Sequence, residues 1–201
     1  MTATPHSLGI VRSGDREPTP WKNGQGSTRE IARRLLGVRG PHFVWRLSVS
    51  DIGRDADFTT FPGVERSATL IHGDGLTIDV GGDEHALSPF EPFRFDAAAE
   101  AHARLTHGSV SILNVLAVTN RMTAVVKVVD LSTERPLSIA GTTLVVLLSG
   151  EAQVHAADGA HDSFSALDAL VARPRARHVS GTGRVAVIRM ENFRAWRAFS
   201  W

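Results

Sequence analysis

Three cations, one carboxylate and a tryptophan carry most of the chemistry in the first third of this chain. The stretch Trp21-Lys22-Asn23-Gly24-Gln25-Gly26-Ser27-Thr28-Arg29-Glu30-Ile31-Ala32 packs side-chain donors and acceptors around two glycines, just ahead of a strand-like run. Trp21 is a costly residue for a loop tip unless its ring serves a purpose there. Thr28 and Glu30 share one face of an extended segment, opposite Arg29 and Ile31. With Arg29 outside, Glu30 points inward, and an inward carboxylate needs a partner. Arg46 sits on the polar face of the run Phe43 to Ser50, beside Ser48. Arg66 follows Phe61-Pro62-Gly63-Val64-Glu65 and shares a face with Ala68 and Leu70, which sets a guanidinium at the end of an apolar strand face, as at the mouth of a barrel. Together with Lys22 and Asn23, these residues predict a site that clamps a carboxylate. Guanidinium does so through two parallel charge-assisted hydrogen bonds.

Other chemistries find little support. Asn23 to Thr28 is glycine-rich but lacks the Gly-Lys-Ser/Thr ending of a phosphate cradle, and no Gly-x-Ser-x-Gly elbow occurs. The chain has no cysteine, which excludes disulfides, zinc–thiolate sites, iron–sulfur clusters and cysteine nucleophiles. The nine histidines (His6, His42, His72, His85, His102, His107, His155, His161 and His178) form neither a His-x-His nor a His-x-x-x-His pair. Most read as exposed turn residues, so neither a metal nor a cofactor is expected. Asp55-Ala56-Asp57 reads as a solvated loop rather than a calcium site.

The elements that must hold these residues read as short strands. Phe43 to Ser50 alternates, with Phe43, Trp45, Leu47 and Val49 on one face and Val44, Arg46, Ser48 and Ser50 on the other. Arg66–Ile71, Gly73-Asp74-Gly75 and Leu76–Val80 read as strand, turn and strand, hence a hairpin. Further strands are predicted over 103–106, 109–118, 123–129, 142–148, 152–156, 169–172 and 184–190. Pro41, Pro62, Pro89, Pro92, Pro136 and Pro174 fall between or at the ends of these runs. A weak repeat at an offset of 77 lays the Leu70–Gly73–Leu76 hairpin on Leu147–Gly150–Gln153. Two strand-rich copies suit two barrels, with 1–121 as an N-terminal barrel holding the pocket and 122–201 as a mainly structural C-terminal one. The C-terminal aromatics Phe193, Trp196 and Phe199 predict a short docked helix or an extended tail, with a homodimer contact as the alternative use.

Lys plus Arg total 22 and Asp plus Glu 21, a formal net charge of +1. That balance provides no global field for nucleic acid or an anionic membrane, and neither partner is expected. The longest apolar run, Leu144 to Leu148, cannot cross a bilayer. No signal-peptide pattern is visible near Met1, so the expected location is cytoplasmic.

The same residues resemble a known family. Trp21-Lys22-Asn23-Gly24-x-Gly26-x-Thr28-x-Glu30-Ile31-Ala32, then Trp45-Arg46-x-Ser48, then Phe61-Pro62-Gly63-Val64-Glu65-Arg66 are similar in order and spacing to the HutD/Ves family. The segment Pro89 to Phe95 and Asn114 fall where that family has a proline–phenylalanine stretch and an Asp-x-Asn strand. The resemblance covers most of the chain and implies an all-β bicupin, two cupin-like jelly-roll barrels with few short helices. It implies a pocket lined by Trp21, Lys22, Asn23, Glu30, Trp45, Arg46 and Arg66, to which Gln25, Thr28, Ser48, Phe61 and Asn114 are added as candidate ligand-binding residues. The family's aspartate is absent here, since the motif reads Ile112-Leu113-Asn114.

The resemblance also implies a link with histidine utilisation. The leading expectation is a binding protein for a small carboxylate metabolite, of the formylglutamate or urocanate class, that modulates histidine catabolism. The alternative is a metal-independent cupin enzyme with Glu30 as acid or base.

Overall fold

The computed structural model describes residues 8–35, 43–139, 143–171 and 176–192. In chain order the strands are β1 (Ile10–Val11), β2 (Thr19–Pro20), β3 (Gly26–Arg34), β4 (Trp45–Ile52), β5 (Ala56–Asp57), β6 (Val64–His72), β7 (Leu76–Val80), β8 (Asp83–Leu87) and β9 (Pro92–Asp96). They continue as β10 (Ala101–Leu105), β11 (Val110–Val118), β12 (Met122–Leu131), β13 (Leu137–Ser138), β14 (Thr143–Ala156), β15 (His161–Phe164), β16 (Ala169–Val171) and β17 (Ala176–Asn192). One 3-10 turn, Ser13–Asp15, is the helical element among the described residues. The C-terminal aromatics, His6, His42, Pro41 and Pro174 lie outside them. No helix among the described residues is long and apolar enough to cross a membrane. The chain divides into two units, one over Glu17–Ala124 and one joining the residues before Glu17 to Val125–Met190.

The first unit is a pair of antiparallel sheets. One has the order β2-β3-β4-β11-β6-β9 and the other β5-β10-β7-β8. Strand alternation sends Ile52, Leu70, Val110 and Ile112 of the larger sheet into one apolar cluster with Leu76, Ile78 and Ala103 of the smaller. The opposite face of the larger sheet is also buried, through Leu47, Val49, Leu113 and Val115. A sheet buried on both faces reads as a nearly continuous apolar run, which is why β11 shows so little alternation in sequence. A second cluster, Phe43, Val64, Leu116 and Val118 with Phe61 against it, packs beside the first.

The expected hairpin at Gly73-Asp74-Gly75 is corrected here. β6 pairs with β11 and β9, and β7 pairs with β10 and β8, so the turn carries the chain from one sheet to the other. Gly73 and Gly75 both have positive φ, and a Cβ on either would meet Ser109 O or His107 Nδ1 at 2.6 Å. The glycines allow a corner packed against the 106–109 turn rather than a two-strand reversal.

The second unit is one sheet of order β1-β16-β14-β17-β12, with β13 on β17 and β15 on β14. Its core joins Ile10, Val145, Leu147, Val154, Phe164, Leu170, Val179 and Val185. The second hairpin expected at Gly150 is also corrected. β14 runs through Gly150 without reversing and pairs with β17 along nearly its whole length, with a register shift between Leu147 and Ser149. A Cβ at Gly150 would lie 2.0 Å from Thr182 O, and Gly183 is equally crowded by Ser149 O. Glycine at positive φ here makes a bulge that bends the strand, not a turn. β1 pairs with β16, Ile10 opposite Leu170, so an N-terminal strand completes this unit. The buried Asp168 fixes that junction. It accepts hydrogen bonds from the Ser13 amide at 2.7 Å and the Ser165 amide at 3.1 Å, and pairs with Arg12 at 2.9 Å.

Candidate functional site

The inward face of the larger sheet in the first unit carries the polar residues in rungs. Cross-strand register places Thr28 opposite Ser50, Glu30 opposite Ser48, and Ser48 opposite Asn114. Arg46 and Arg66 each lie opposite Leu116, one on either flanking strand. Their backbone positions are therefore about 10 Å apart, two strand spacings, with both side chains on the barrel side. A bulge between Glu30 and Ala32 breaks the alternation at that point. It leaves Arg33 on the same side as Glu30, 3.3 Å from Oε1.

Glu30 finds the partner that its inward position demands. Its Oε2 lies 3.0 Å from Arg46 Nε. The contact is Coulombic rather than a hydrogen bond, since Arg46 Nε is buried with no hydrogen-bond partner. Glu30, Arg33 and Arg46 keep 24%, 42% and 28% of their side-chain surface exposed, so this trio forms the solvent-facing rim of the site.

Arg66 sits deeper and has no such partner. It is 5% exposed. One terminal nitrogen donates to Thr59 O at 2.9 Å, and Nε has no partner. Its guanidinium carbon lies 4.7 Å from the centroid of the Phe58 ring, 5.8 Å from Phe95 and 6.0 Å from Phe61. No carboxylate among the described residues pairs with it. Burial first, and then the charge of Arg46, push its pKa down to about 10. It remains a cation at neutral pH, in a place that costs it hydration without a counter-ion.

A polar relay runs along the neighbouring rungs. The Trp21 indole N–H donates to Thr28 Oγ1 at 2.8 Å, Thr28 Oγ1 and Ser50 Oγ share a hydrogen bond at 2.9 Å, and Asn114 Nδ2 donates to Ser50 Oγ at 3.3 Å. Asn114 Oδ1 is buried without a partner. Gly26 makes the Trp21 position possible, since a Cβ there would sit 2.5 Å from Asp51 O and 3.2 Å from the indole ring.

Of the residues expected at the site, Trp21, Thr28, Glu30, Arg46, Ser48, Arg66 and Asn114 are brought onto this face or against it. Phe61 borders Arg66. Lys22 and Asn23 are exposed on the turn before β3, where Asn23 bonds Gln25 through side chain and backbone. Trp45 lies on the opposite face of β4 from Arg46, as strict alternation requires. Sequence reasoning missed Ser50, Arg33, Phe58 and Phe95. The period-two pattern Phe93-Arg94-Phe95 was the available signal for Phe95, and Ser50 continues the Arg46–Ser48 face. Two open clefts border the first unit, the first of them sharing Phe58 with the Arg66 site. One of about 570 Å³ is bordered by Asp57, Asp79, Glu100 and His102, and one of about 460 Å³ by Gln25, Gly26 and Asp51. Among the described residues no three His, Asp or Glu side chains converge to hold a metal ion.

Comparison with known proteins gives concordant matches. The HutD family model matches residues 13–188. An uncharacterised 21.2 kDa protein from the hutC 3' region of Pseudomonas putida is 35% identical over 149 residues, 73% of this chain and 77% of that one. Protein Ves of Citrobacter koseri is 37% identical over 112 residues, 55% and 58% of the two chains. Among solved structures, a conserved protein of unknown function from Pseudomonas aeruginosa PAO1 superposes with a TM-score of 0.80 at 27% identity, over 90% of this chain and 97% of that one. HutD from Pseudomonas fluorescens SBW25 gives 0.76 at 29%, over 91% and 97%. A cupin 2 conserved barrel protein from Leptotrichia buccalis, at 10% identity and a TM-score of 0.59 over 95% and 100% of the chains, shares the fold alone. The fold class is that of two cupin-like barrels in one chain.

Proposed function

The chain belongs to the HutD family, and on that premise we propose that it binds a small carboxylate metabolite inside its first barrel and modulates histidine catabolism in response. One observation carries the reading. Arg66 is a buried guanidinium with no anion beside it, an unpartnered Nε, and a second arginine on the same barrel face. A carboxylate entering past the Glu30–Arg46 rim would supply the missing counter-charge to Arg66 and accept hydrogen bonds from both arginines. The Phe58, Phe61 and Phe95 rings strip water from the site, so each charge-assisted bond is worth more there than at the surface. Asn114 Oδ1, one rung away, offers an acceptor to a donor group on the same ligand. Acids of the formylglutamate and urocanate class meet this description. The regulatory part of the proposal rests on the P. putida relative, which is named for its position beside hutC.

Glu30 serves in this reading as a positioning residue. Its two oxygens are engaged by Arg46 and Arg33, which fixes the Arg46 side chain at the rim. Thermal-shift and calorimetric titration with formate, urocanate and formylglutamate test the proposal. At least one acid stabilises the wild type, and Arg46→Met and Arg66→Met abolish that stabilisation. No response to any of these acids at millimolar concentration would overturn the proposal.

A further inference from the structure

The second unit carries a cluster that the carboxylate site does not use. His161, His155 and His178 lie in direct cross-strand register on β15, β14 and β17. The core side of β14 is taken by Ala152, Val154 and Ala156, so His155 projects from the outer face. The His155 and His178 rings stack at 4.5 Å between centroids and 13° between planes. His155 and His161 lie 6.0 Å apart at 29°. His155 Nε2 shares a hydrogen bond with Ser180 Oγ at 2.8 Å. The ladder sits where the β14–β15 hairpin closes, beside the 2.8 Å bond from the Ala156 amide to Ala160 O.

No described carboxylate neutralises this ladder. From β15 the facing titratable group is His161, and from β17 it is His178. β13 offers Ser138, opposite His178, which does not titrate. Glu151 lies on the same face of β14 but four residues away, about 13 Å along the strand. Asp162 is held 2.7 Å from Arg12, and Asp130 on β12 is held 3.1 Å from Arg184. Asp158, in the hairpin turn, accepts from the Ala160 amide. Burial first, then the charges of His178 and His161, pull the His155 pKa below its ordinary value. Flat stacking suits neutral rings. Two imidazolium ions at this separation repel, with no anion between them to offset the repulsion.

We propose that the His161–His155–His178 ladder is a proton-sensitive latch on the second unit. Neutral, it holds the hairpin end of β14 and β15 against β17; once more than one ring is protonated, that end frays. The parallel rings do not converge on a common point, which separates this arrangement from a metal centre. The latch is independent of the carboxylate site in the first unit.

The test is imidazole-resolved NMR of the full chain from pH 8 to pH 5, with amide-exchange protection factors for 152–156 and 161–164. The His155 ring is expected to titrate below the ordinary imidazole range. Hairpin protection factors should fall at least tenfold between pH 7.5 and 5.5. In His155→Gln the hairpin loses its pH response. His161→Ala, at an exposed edge, halves the ladder without touching the core and weakens the response. A His155 ring that titrates at the ordinary imidazole value would overturn the proposal, as would an unchanged pH response in both variants. Stoichiometric zinc binding that fixes all three rings would overturn it too, by making the cluster a metal site.

Discussion

Arg66→Met separates a ligand-binding arginine from a structural one. Keeping a guanidinium charged where burial, and then Arg46, have pushed its pKa down to about 10 costs the folded state on the order of 3 kcal/mol. Against that, Arg66 gains a hydrogen bond to Thr59 O, about 1.5–3 kcal/mol for a charged donor, and a desolvated contact with the Phe58 ring of about 2 kcal/mol. The terms nearly cancel. Methionine keeps the stem and much of the packing volume while removing the charge. Without ligand, the variant is therefore expected within about 1 kcal/mol of wild type, as is common when buried ions give way to apolar side chains. With ligand the two diverge. At a hundred times Kd the wild type gains about 2.7 kcal/mol, a rise of roughly 5–10 °C at about 2–4 °C per kcal/mol, and the variant gains nothing. The assay is a melting series over acid concentration for both proteins. A ligand-free loss above about 3 kcal/mol would refute the reasoning, because it would make Arg66 a cornerstone of the barrel. So would an undiminished ligand response.

Four further outcomes follow from the geometry. Gly26→Ala drives a Cβ to 2.5 Å from Asp51 O and should destabilise the first unit by about 1–3 kcal/mol, the usual range for overpacking, read by urea unfolding. Thr28→Val removes the acceptor of the Trp21 indole N–H; a loss of about 1 kcal/mol and a shifted indole emission are expected. Asp168→Asn leaves Arg12 without its buried counter-charge and should lower second-unit stability by about 3 kcal/mol, measured by calorimetry. Acid should weaken the second unit through His155. Its folded pKa is depressed, so the unfolded chain binds more protons below pH 6.5. This contribution is fully present above that pH and is lost as pH falls through and below it, which a melting series between pH 8 and 5 would detect.

Local pattern carried the strand faces well. Phe43 to Ser50 alternates in sequence as it does in space, which put Arg46 and Ser48 on one side and Leu47 and Val49 on the other. The face of Arg66 was legible, because Ala68 and Leu70 mark it, but Arg66 lies buried on that face rather than at the barrel mouth. What local pattern cannot carry is register between distant strands. That Asn114 lies opposite Ser48, or that Arg66 and Arg46 flank Leu116, is decided by pairing between strands roughly fifty to seventy residues apart in the chain. The same limit hid the histidine ladder, whose members stand six and seventeen positions from one another along the chain and touch only because β14, β15 and β17 align. Glycines misled in a different way. Gly73, Gly75 and Gly150 signal positive φ equally well in a hairpin, a corner or a bulge, and only the neighbouring backbone decides which. Trp45 shows the reverse case, where motif resemblance suggested the pocket and simple alternation pointed away from it.

The pairing of β1 with β16 governs the order in which this molecule can assemble. Arg12 and Asp168, which close that junction, are 156 positions apart. On a ribosome elongating at about 5–20 residues per second, the first strand waits roughly 8–30 s for its partner to emerge. During that interval Ile10 and Val11 are an unpaired apolar strand. The first barrel, whose strands all lie between them, can complete its own pairing meanwhile. The second cannot close until β17 is made, past residue 192, so it carries the high-contact-order, late step of folding. Refolding of the intact chain should thus show a fast phase from the first unit and a slow one that Arg12→Ala delays further.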